Sequence, residues 1–407
     1  MKPLEGIRIV EVAGFVFVPL AGSIMADLGA DVIKVEPRTG DLMRGTKTAG
    51  AQLDAEAGPT PPKSLLAEYS NRGKRSIALD LSTDAGREVL YRLVGTADVF
   101  STSYLEAVRQ RLRIDVEDIK AVNSSVIYAR GSGWGSHGPM RNAPAFDLAA
   151  AWAGTGIADS LVDREGEPPS MPIGIFDVQA ANSLAGAIGI ALFQRARTGV
   201  ATVVDTALYN VGMWAGQTEI AAAPHRIATG RTDRLHPYNA LVNWYKTADG
   251  RWIFFVMMRA GERWREMCDV LGLPGLATDV RFATDASRSE NASACASILD
   301  AAFATATLEQ WRHRFAEFNG CWGPMLTPAE VHQHPQSAPN GFLTDHLTNT
   351  GFELKLVAPP MHFDETPTQS SGPAPELGQH TELVLLELGY DWNDITQLTD
   401  DGVIGPA

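Results

Sequence analysis

The amino-acid sequence predicts an α/β protein with a parallel sheet, and three observations near its start support that prediction. Residues 7–12 are a β-branched run of the kind found in buried strands. Pro19 opens a helical stretch over residues 20–28, which Gly29 ends. Residues 31–36 (DVIKVE) form a second strand, which a proline terminates. Strand, helix and strand in this order are a βαβ unit, whose two strands lie parallel in one sheet.

The same alternation continues along the chain. Further strands are predicted at residues 76–81, 98–100 and 126–130, helices at 84–94 and 177–198, and loops at 45–62 and 131–144. The second loop (GSGWGSHGPMRNAP) is rich in glycine and directly follows a strand. Ligand sites in α/β proteins are commonly built from such loops, although a plain surface connection accounts for the pattern equally well.

Changes in composition predict three segments. A large domain covers residues 1–225, a smaller α+β domain covers residues 226–330, and a C-terminal segment covers residues 331–407. The smaller domain begins with a polar, basic linker and continues with a β-hairpin at residues 243–258, which turns through Asp249-Gly250. Further helices are predicted at residues 262–271, 308–318 and 380–388.

The composition argues against several classes of protein. The chain has 407 residues, with 34 basic and 48 acidic side chains and a net charge of −14, which argues against a nucleic-acid partner. Its three cysteines form no disulfide framework, which fits a reducing compartment. The N-terminus lacks a signal-peptide pattern, and the apolar residues 12–26 are too few and too interrupted to cross a membrane. We therefore expect a soluble, cytoplasmic protein without membrane association.

Nicotinamide and metal chemistry are both poorly supported. The first turn, residues 13–19 (AGFVFVP), contains no GxGxxG pattern, and its bulky side chains would keep a pyrophosphate away from the helix. His332 and His334 lack a third ligand at usable spacing and lie among prolines. The sequence therefore predicts neither a bound metal nor a dinucleotide.

Two groups of residues are candidates for chemistry. Arg38 and Arg44 follow the second strand, and the cations of the segment NRGKR at residues 71–75 precede the third, so both could meet a phosphate-bearing ligand or form a solvated rim. Asp177 follows an apolar run and precedes a long helix. It fits an N-cap, and it equally fits a nucleophile whose ionised form the helix N-terminus favours.

Segments distributed along the chain carry a family resemblance. They are LEGIRIVEV from Leu4, ADLGADVIKVEP from Ala26, GDLMR from Gly40, NRGKRSIALDL from Asn71, ADVF from Ala97, GSGWGSHGP from Gly131, FDLAAAWAG from Phe146, PIGIFDVQAANSLAGAIGIALFQRARTG from Pro172, HPYNALVNWYKTADGRW from His236 and APELGQHTELVLLELGY from Ala374. In this order they resemble the family III CoA-transferases, also called the CaiB/BaiF family, over nearly the whole chain.

The resemblance implies a transfer of CoA between two carboxylic acids. Asp177 matches the family's nucleophilic aspartate, which attacks an acyl-CoA thioester to give a mixed anhydride and then an aspartyl-CoA thioester. CoA and acyl-CoA are then substrates, and no tightly bound cofactor is implied. The implied fold is a Rossmann-like large domain built from both ends of the chain, in a ring-like, interlocked homodimer.

The resemblance also implies a set of residues that contact CoA. They are Val16, Arg38, Arg72, Lys74, Arg75, Ser103, Tyr104, Arg109, Ser132 and Trp134. Phe15, Phe17 and Trp134 suggest an apolar acyl pocket, although three aromatic residues fit a protein core equally well.

The chain departs from the family pattern at several positions. Phe17-Val18-Pro19 replaces a smaller step, Ser103 replaces a common Asn, Glu106-Ala107 replaces Pro-Gly, and Phe146 replaces a Tyr or His. These changes concern the acyl pocket and the nucleotide contacts, and none affects Asp177. Two alternative functions stay open, namely an acyl-CoA racemase or epimerase of the same fold and a catalytically silent CoA-binding protein.

Overall fold

The chain forms two compact units. The computed structural model describes residues 2–46, 60–162, 166–225, 233–261 and 263–406. The first unit contains Met1–Asp159, Ser170–His225 and Pro335–Ala407, and the second contains Ser160–Pro169 and Arg226–His334. The short piece Ser160–Pro169 therefore groups with the second unit, whereas the sequence placed it within a continuous large domain.

One parallel sheet organises the first unit. Its strands are β1 (Arg8–Val12), β2 (Asp31–Glu36), β3 (Arg75–Ala78), β4 (Val99–Thr102), β5 (Ile127–Ser132) and β6 (Val203–Ala207). They lie in the order β3-β2-β1-β4-β5-β6, and every neighbouring pair is parallel. This is the strand order of the doubly wound Rossmann fold. The predicted α/β class with a parallel sheet is confirmed.

Helices cover both faces of this sheet. The helices up to residue 222 are α1 (Phe17–Asp27), α2 (Leu65–Asn71), α3 (Asp84–Gly95), α4 (Glu106–Leu112), α5 (Val116–Val122), α6 (Ile157–Ser160), α7 (Ile175–Thr198), α8 (Leu208–Ala215) and α9 (Gln217–Ala222). Successive side chains of a strand point to opposite faces. Ile9 accordingly packs in the core that contains α1 and α7, whereas Val10 packs in the core that contains Leu90 and Leu93 of α3.

The long helix α7 is part of the protein core. Ala180, Leu184 and Ile188 recur at helical spacing and are buried in the same cluster as α1. By length and composition alone this helix could cross a membrane, and 44% of its most apolar window is buried. Because core helices of soluble proteins meet the same criteria, we interpret α7 as a core helix. It ends at Gly199 (φ +71°), as predicted.

The second unit has its own antiparallel sheet and aromatic core. Its strands are β7 (Val242–Lys246), β8 (Trp252–Val256) and β9 (Trp322–Pro324), in that order, and its helices are α10 (Arg263–Val270), α11 (Asp285–Glu290), α12 (Ala292–Phe303), α13 (Leu308–Arg314) and α14 (Pro328–His332). The predicted hairpin is present as β7 and β8, which pair antiparallel. Trp264, Phe303 and Trp311 are buried at its centre.

The C-terminal segment returns to the sheet of the first unit. It contains the hairpins β10 (Leu343–Leu347) with β11 (Glu353–Val357) and β12 (His362–Phe363) with β13 (Thr366–Pro367), then α15 (Thr381–Glu387) and α16 (Trp392–Asp400). The β3 residue Ala78 donates its backbone N–H to Thr381 Oγ1 at 3.2 Å. The backbone N–H of His380 donates to the Ser76 carbonyl at 2.9 Å. These bonds join the two ends of the chain within one unit.

Several predicted elements differ from the observed ones in extent. The central helix begins two residues earlier than predicted, at Ile175, and β3 ends at Ala78, before the predicted limit at residue 81. The sequence predicted no hairpins in the C-terminal segment, where β10 to β13 lie. Most of the predicted loop 45–62 (residues 47–59) and half of the predicted linker 225–238 (residues 226–232) lie outside the described residues.

Candidate active site

The crevice of the sheet lies between the ends of β1 and β4. In a doubly wound sheet, ligands bind beyond the carboxyl ends of the strands at the point where the strand order reverses, which here is between these two strands. Gly14 and Phe15 follow β1, and Ser103 and Tyr104 follow β4. The two turns are in contact, because the Gly14 backbone N–H donates to Ser103 Oγ at 3.1 Å.

A cavity of about 240 Å³ occupies this crevice. Its walls come from the turn after β1, the turn after β4, the end of β5 with the glycine-rich loop, and the start of α7. Asp177 lines it together with Phe15, Tyr104, Ser132 and Leu208. Segments far apart in sequence thus surround one carboxylate.

The turn after β1 is strained, and a hydrogen bond to Asp41 stabilises it. Phe15 has φ +65°, a conformation that costs a bulky side chain about 1–2 kcal/mol. Its backbone N–H donates to Asp41 Oδ1 at 3.2 Å. The other oxygen of Asp41 accepts a 2.8 Å hydrogen bond from Lys34, which is completely buried. A buried ion pair therefore supports the conformation that directs the Phe15 ring.

Phe15 and Phe146 form an aromatic pair at the cavity. Their ring centroids lie 5.3 Å apart at an interplanar angle of 82°, an edge-to-face arrangement. Both rings line the cavity, and they remain 38% and 59% exposed. The pair therefore presents apolar surface that a ligand can cover.

Close packing at the end of β5 depends on glycine. A Cβ atom at Gly131 would lie 2.4 Å from Val18 Cγ2 and 2.7 Å from Phe17 Cε1. Both distances are too short for real carbon contacts, so the start of α1 can lie against β5 only because residue 131 has no side chain.

A carboxylate from another segment caps the start of α7. Gly174, the residue before the helix, has φ +90° and no side chain with which to cap it. Asp147 Oδ2 accepts the Gly174 N–H at 2.9 Å, and the Asp147 carboxylate also accepts the backbone N–H groups of Phe176 and Asp177. The interpretation of Asp177 as the N-cap is therefore wrong, because the capping carboxylate is Asp147.

Asp177 lies in the first turn of α7 and faces the cavity. Burial, and then the negative charge of Asp147, raise the pKa of Asp177 to about 7. Among the described residues, no side chain donates a hydrogen bond to its carboxylate. A carboxylate in this setting is poorly solvated when ionised, which makes it a better base and nucleophile than an exposed one.

A second cavity, of about 320 Å³, lies on the other side of Tyr104. Tyr104 lines both cavities, so the two are neighbours. The second cavity is also lined by Arg38 and by residues 79–82, which follow β3. Arg38 donates from Nε to the Gly405 carbonyl at 3.0 Å, which fixes its stem.

Three arginines line the polar end of the first cavity, and each is paired. Arg109 bonds Asp115 at 3.0 Å, and Arg141 bonds Glu106 at 2.7 Å. Arg130 Nη2 bonds Asp205 Oδ2 at 3.1 Å. These pairs hold the guanidinium groups in place.

The structure brings five of the predicted CoA contacts to these two cavities. Ser103, Tyr104, Arg109 and Ser132 line the cavity that contains Asp177, and Arg38 lines the second cavity.

Val16 and Trp134 lie outside the residues that line these two cavities. Val16 is only 2% exposed and packs in the core, and Trp134 packs on Tyr209 with ring centroids 5.6 Å apart.

The remaining predicted contacts are engaged in ion pairs. Lys74 is buried and donates to both oxygens of Glu11, at 2.7 and 2.9 Å, and to the Pro19 carbonyl at 2.6 Å. Arg72 is 2% exposed and pairs with Asp27 at 2.7 Å. These partners leave Lys74 without a donor for a phosphate, and burial closes off Arg72. Both predictions of CoA contact are corrected accordingly.

Arg75 is also engaged away from the cavities. It pairs with Asp31 at 2.6 Å and with Glu387 of α15 at 2.7 Å. Like Arg72 and Lys74, it lines neither cavity. The segment NRGKR therefore anchors the fold around β3, and the phosphate-binding interpretation of it is not supported by the geometry.

Sequence reasoning missed two features of the site. One is residues 79–82, which follow the observed β3 but mostly fall within the predicted strand 76–81; the carboxyl end of that strand was an available signal for a ligand-binding edge. The other is the cap provided by Asp147, which lies 27 residues before its partner Gly174. No local pattern could have revealed that contact.

Comparisons with known proteins point to one family. The model of the family described as CoA-transferase family III matches residues 4–381. The (R)-2-hydroxy-4-methylpentanoate CoA-transferase of Clostridioides difficile is 27% identical over 98% of this chain and 99% of its own length. The succinate–glutarate CoA-transferase of Agrobacterium fabrum is 30% identical over 95% of this chain and 96% of its own length. The crystal structure of a CaiB/BaiF family protein from Brucella suis superposes with a TM-score of 0.82, at 28% identity, over 95% of this chain and 99% of that one.

Proposed function

Since the chain belongs to CoA-transferase family III, we propose that it moves CoA from an acyl-CoA donor to a carboxylic acid, with Asp177 as the nucleophile. The observation that carries the proposal is the position of Asp177, whose half-buried carboxylate faces the cavity at the crevice of the sheet. Its raised pKa of about 7 is typical of a carboxylate in an active site.

The proposed reaction has four steps. An Asp177 oxygen attacks the thioester carbonyl carbon, the C–S bond breaks, and CoA leaves as a thiolate. The thiolate then attacks Asp177 Cγ, which releases the donor acid and forms an aspartyl-CoA thioester. The acceptor carboxylate attacks this thioester, and the thiolate finally attacks the acceptor's acyl carbon. Asp177 is regenerated as a carboxylate, with no net gain or loss of protons.

The setting of Asp177 favours the first step. In water a carboxylate is a weak nucleophile, because solvation stabilises its charge. Here Asp147 fixes the first turn of α7 through three backbone N–H groups, so the attacking oxygen is held in one place. Partial burial removes water from that oxygen.

The two cavities that share Tyr104 suggest how CoA is held. The nucleotide would occupy the second cavity near Arg38, and the pantetheine arm would pass Tyr104 towards Asp177. CoA bound at its nucleotide end remains in place while the thiolate waits for the acceptor. CoA is a substrate in this scheme, and the proposal includes no tightly bound cofactor.

A racemase or epimerase of the same fold is the main alternative. That reaction needs two groups that exchange protons on opposite faces of the α-carbon. Phe146 cannot accept a proton, and Asp147 is engaged with backbone N–H groups. His137 lines a neighbouring cavity with Arg109 and Arg141, and it does not line the cavity of Asp177. These observations favour CoA transfer over racemisation or epimerisation.

We also propose the homodimer that the family resemblance implies and the cytoplasmic location that the composition indicates. Support for a subunit interface comes from α7, where Ile190 and Phe193 are 70% and 63% exposed. Apolar side chains exposed near one another on a helix are typical of surfaces that bury against another chain. Whether the two protomers interlock can be tested by mixing two differently tagged preparations, which should form no hybrid dimers over hours.

An acyl-enzyme experiment tests the proposed nucleophile. Wild-type protein incubated with an acyl-CoA should carry CoA on Asp177 by peptide mass spectrometry, and hydroxylamine should convert that residue to a hydroxamate. Asp177→Asn should still fold and bind CoA, but it should lose at least about 1000-fold in activity, because an amide cannot attack the thioester.

Asp345→Asn, an exposed change in β10, is the matched control and should behave as wild type. Wild-type turnover by Asp177→Asn would refute the nucleophile. Loss of activity in Asp177→Asn together with rapid deuteration of a 2-methylacyl-CoA at its α-carbon by the wild type, without any acceptor, would instead favour the racemase. Intact CoA binding without turnover on any donor would favour a silent CoA-binding protein.

A further inference from the structure

We propose that the acyl site accepts monocarboxylic acids with an apolar side chain, and that the Phe15–Phe146 pair is the surface that selects them. This inference rests on the proposed function and names its substrate class. Its basis is the contrast between the two ends of the cavity that contains Asp177.

The wall contributed by the turn after β1 and by the segment before Asp147 is apolar. It consists of Phe15, Phe17, Ala145, Phe146 and the nearby Leu208. The acyl group must lie at the Asp177 end of the cavity, because its carbonyl carbon is the atom attacked. Its side chain therefore meets this wall and covers two rings that are 38% and 59% exposed.

The cations of the cavity are poorly suited to hold a second carboxylate of the acyl group. Arg109, Arg130 and Arg141 each already pair with an acidic side chain. In the part of the chain that the structure describes, no lysine or histidine lines this cavity. The distal carboxylate of a dicarboxylic acid would lose its hydration against aromatic rings without gaining an unpaired cation.

Hydrogen bonds hold the backbone segments that carry the two rings. The strained turn at Phe15 is held by Asp41, whose other oxygen is bound by buried Lys34. Phe146 immediately precedes Asp147, the residue that caps α7 and holds the backbone of Asp177. Phe146 and the nucleophile are therefore anchored through Asp147, so the acyl side chain is recognised at a defined distance from the attacking oxygen.

The test compares apolar acyl-CoA donors with a dicarboxylic acyl-CoA donor on the wild-type protein. We expect kcat/KM for aspartyl-CoA formation to be at least about 10-fold higher with phenylacetyl-CoA or hexanoyl-CoA than with glutaryl-CoA. Phe146→Ala should lower the value for phenylacetyl-CoA about 10-fold and change that for glutaryl-CoA less than two-fold. Phe146→Leu, which keeps apolar bulk, should retain most of the activity with hexanoyl-CoA.

Phe363→Ala, which removes an exposed phenylalanine from β12, is the matched control and should leave both donors unchanged. Equal losses for both donors in Phe146→Ala, accompanied by a change in sedimentation, would show that the ring serves folding or a subunit contact, and would overturn the inference. A preference of the wild type for glutaryl-CoA would overturn it and leave the proposed function intact. Failure of every donor to form the adduct would overturn both.

Discussion

At the scale of single residues, the site depends on two carboxylates at the start of α7 that have different roles. Asp147 accepts backbone N–H groups and fixes the helix end, whereas Asp177 accepts no hydrogen bond from a described side chain and faces the cavity. The charge of Asp147 also contributes to the raised pKa of Asp177. Asp147 thus positions Asp177 and helps to raise its pKa.

This relation predicts a pH dependence. Attack requires ionised Asp177, whose pKa is raised to about 7, so kcat/KM should fall about 10-fold per pH unit below that value. Asp147→Asn keeps an oxygen that can accept N–H groups but removes the negative charge. The acidic limb should therefore move to lower pH, because the pKa of Asp177 falls when its anionic neighbour is neutralised.

The profile is measured as kcat/KM from pH 5 to 9 for wild type, Asp147→Asn and the surface control Asp345→Asn. The control should superpose on the wild type. An acidic limb that stays in place in Asp147→Asn would mean that burial alone sets the pKa of Asp177. A flat wild-type profile down to pH 5 would contradict the assignment of Asp177 as the titrating nucleophile.

At the scale of elements, the start of α7 depends on the positive φ angle of Gly174, the residue that precedes the helix. Gly174 has φ +90° and nothing within 4 Å of the position that a Cβ would occupy, so its role is conformational rather than steric. The same helix offers a contrast in Gly186, which lies inside the helix and also has free space around it.

These two glycines should respond in opposite ways to the same substitution. Gly174→Ala should destabilise the protein by about 1 kcal/mol, because alanine is strained at positive φ, and should lower kcat by displacing Asp177. Gly186→Ala should stabilise it by about 0.5–1 kcal/mol, because alanine is the better helix former. Urea unfolding and initial rates measure both effects. Stabilisation by Gly174→Ala would contradict the assigned cap geometry.

At the scale of the whole molecule, buried charge and ligand-facing charge occupy different places. The cations Lys34, Arg72 and Lys74 have acidic partners inside the first unit and are almost completely buried. Burial lowers the pKa of Lys74, and the negative charge of Glu11 raises it. Burial has the larger effect, so the pKa is lowered to about 8. Arg38 lies at a cavity instead. An acidic protein can therefore present local positive charge to an anionic substrate.

Removing a cation of each class should separate stability from ligand affinity. Lys74→Met leaves Glu11 buried without its main partner and should cost about 3 kcal/mol in the free energy of unfolding, with a CoA Kd within two-fold of wild type. Arg38→Ala should weaken CoA about 10-fold with little loss of stability. Calorimetry of unfolding and of CoA binding distinguishes the two. A stable Lys74→Met protein with impaired CoA binding would instead support the sequence-based prediction that Lys74 contacts CoA.

Local signals were sufficient to predict the first βαβ unit, because Pro19 and Gly29 mark the helix between two β-branched strands. Asp177 was identified through the family resemblance, since its local pattern also fitted an N-cap. The pairing of Lys74 with Glu11 could not be foreseen, because the two residues lie 63 positions apart and meet only when β1, β2 and β3 assemble into one sheet. Charge alone could not distinguish a fold-stabilising cation from a ligand-binding one.

The covalent role of Asp177 is tested most directly by the path of one oxygen atom. In the proposed steps, each turnover transfers one carboxylate oxygen from the acceptor to Asp177, and the next turnover transfers it to the released donor acid. With an acceptor labelled with oxygen-18, mass spectrometry should find the label in Asp177 and in the donor acid after several turnovers. Donor acid that stays unlabelled while CoA is transferred would contradict the account.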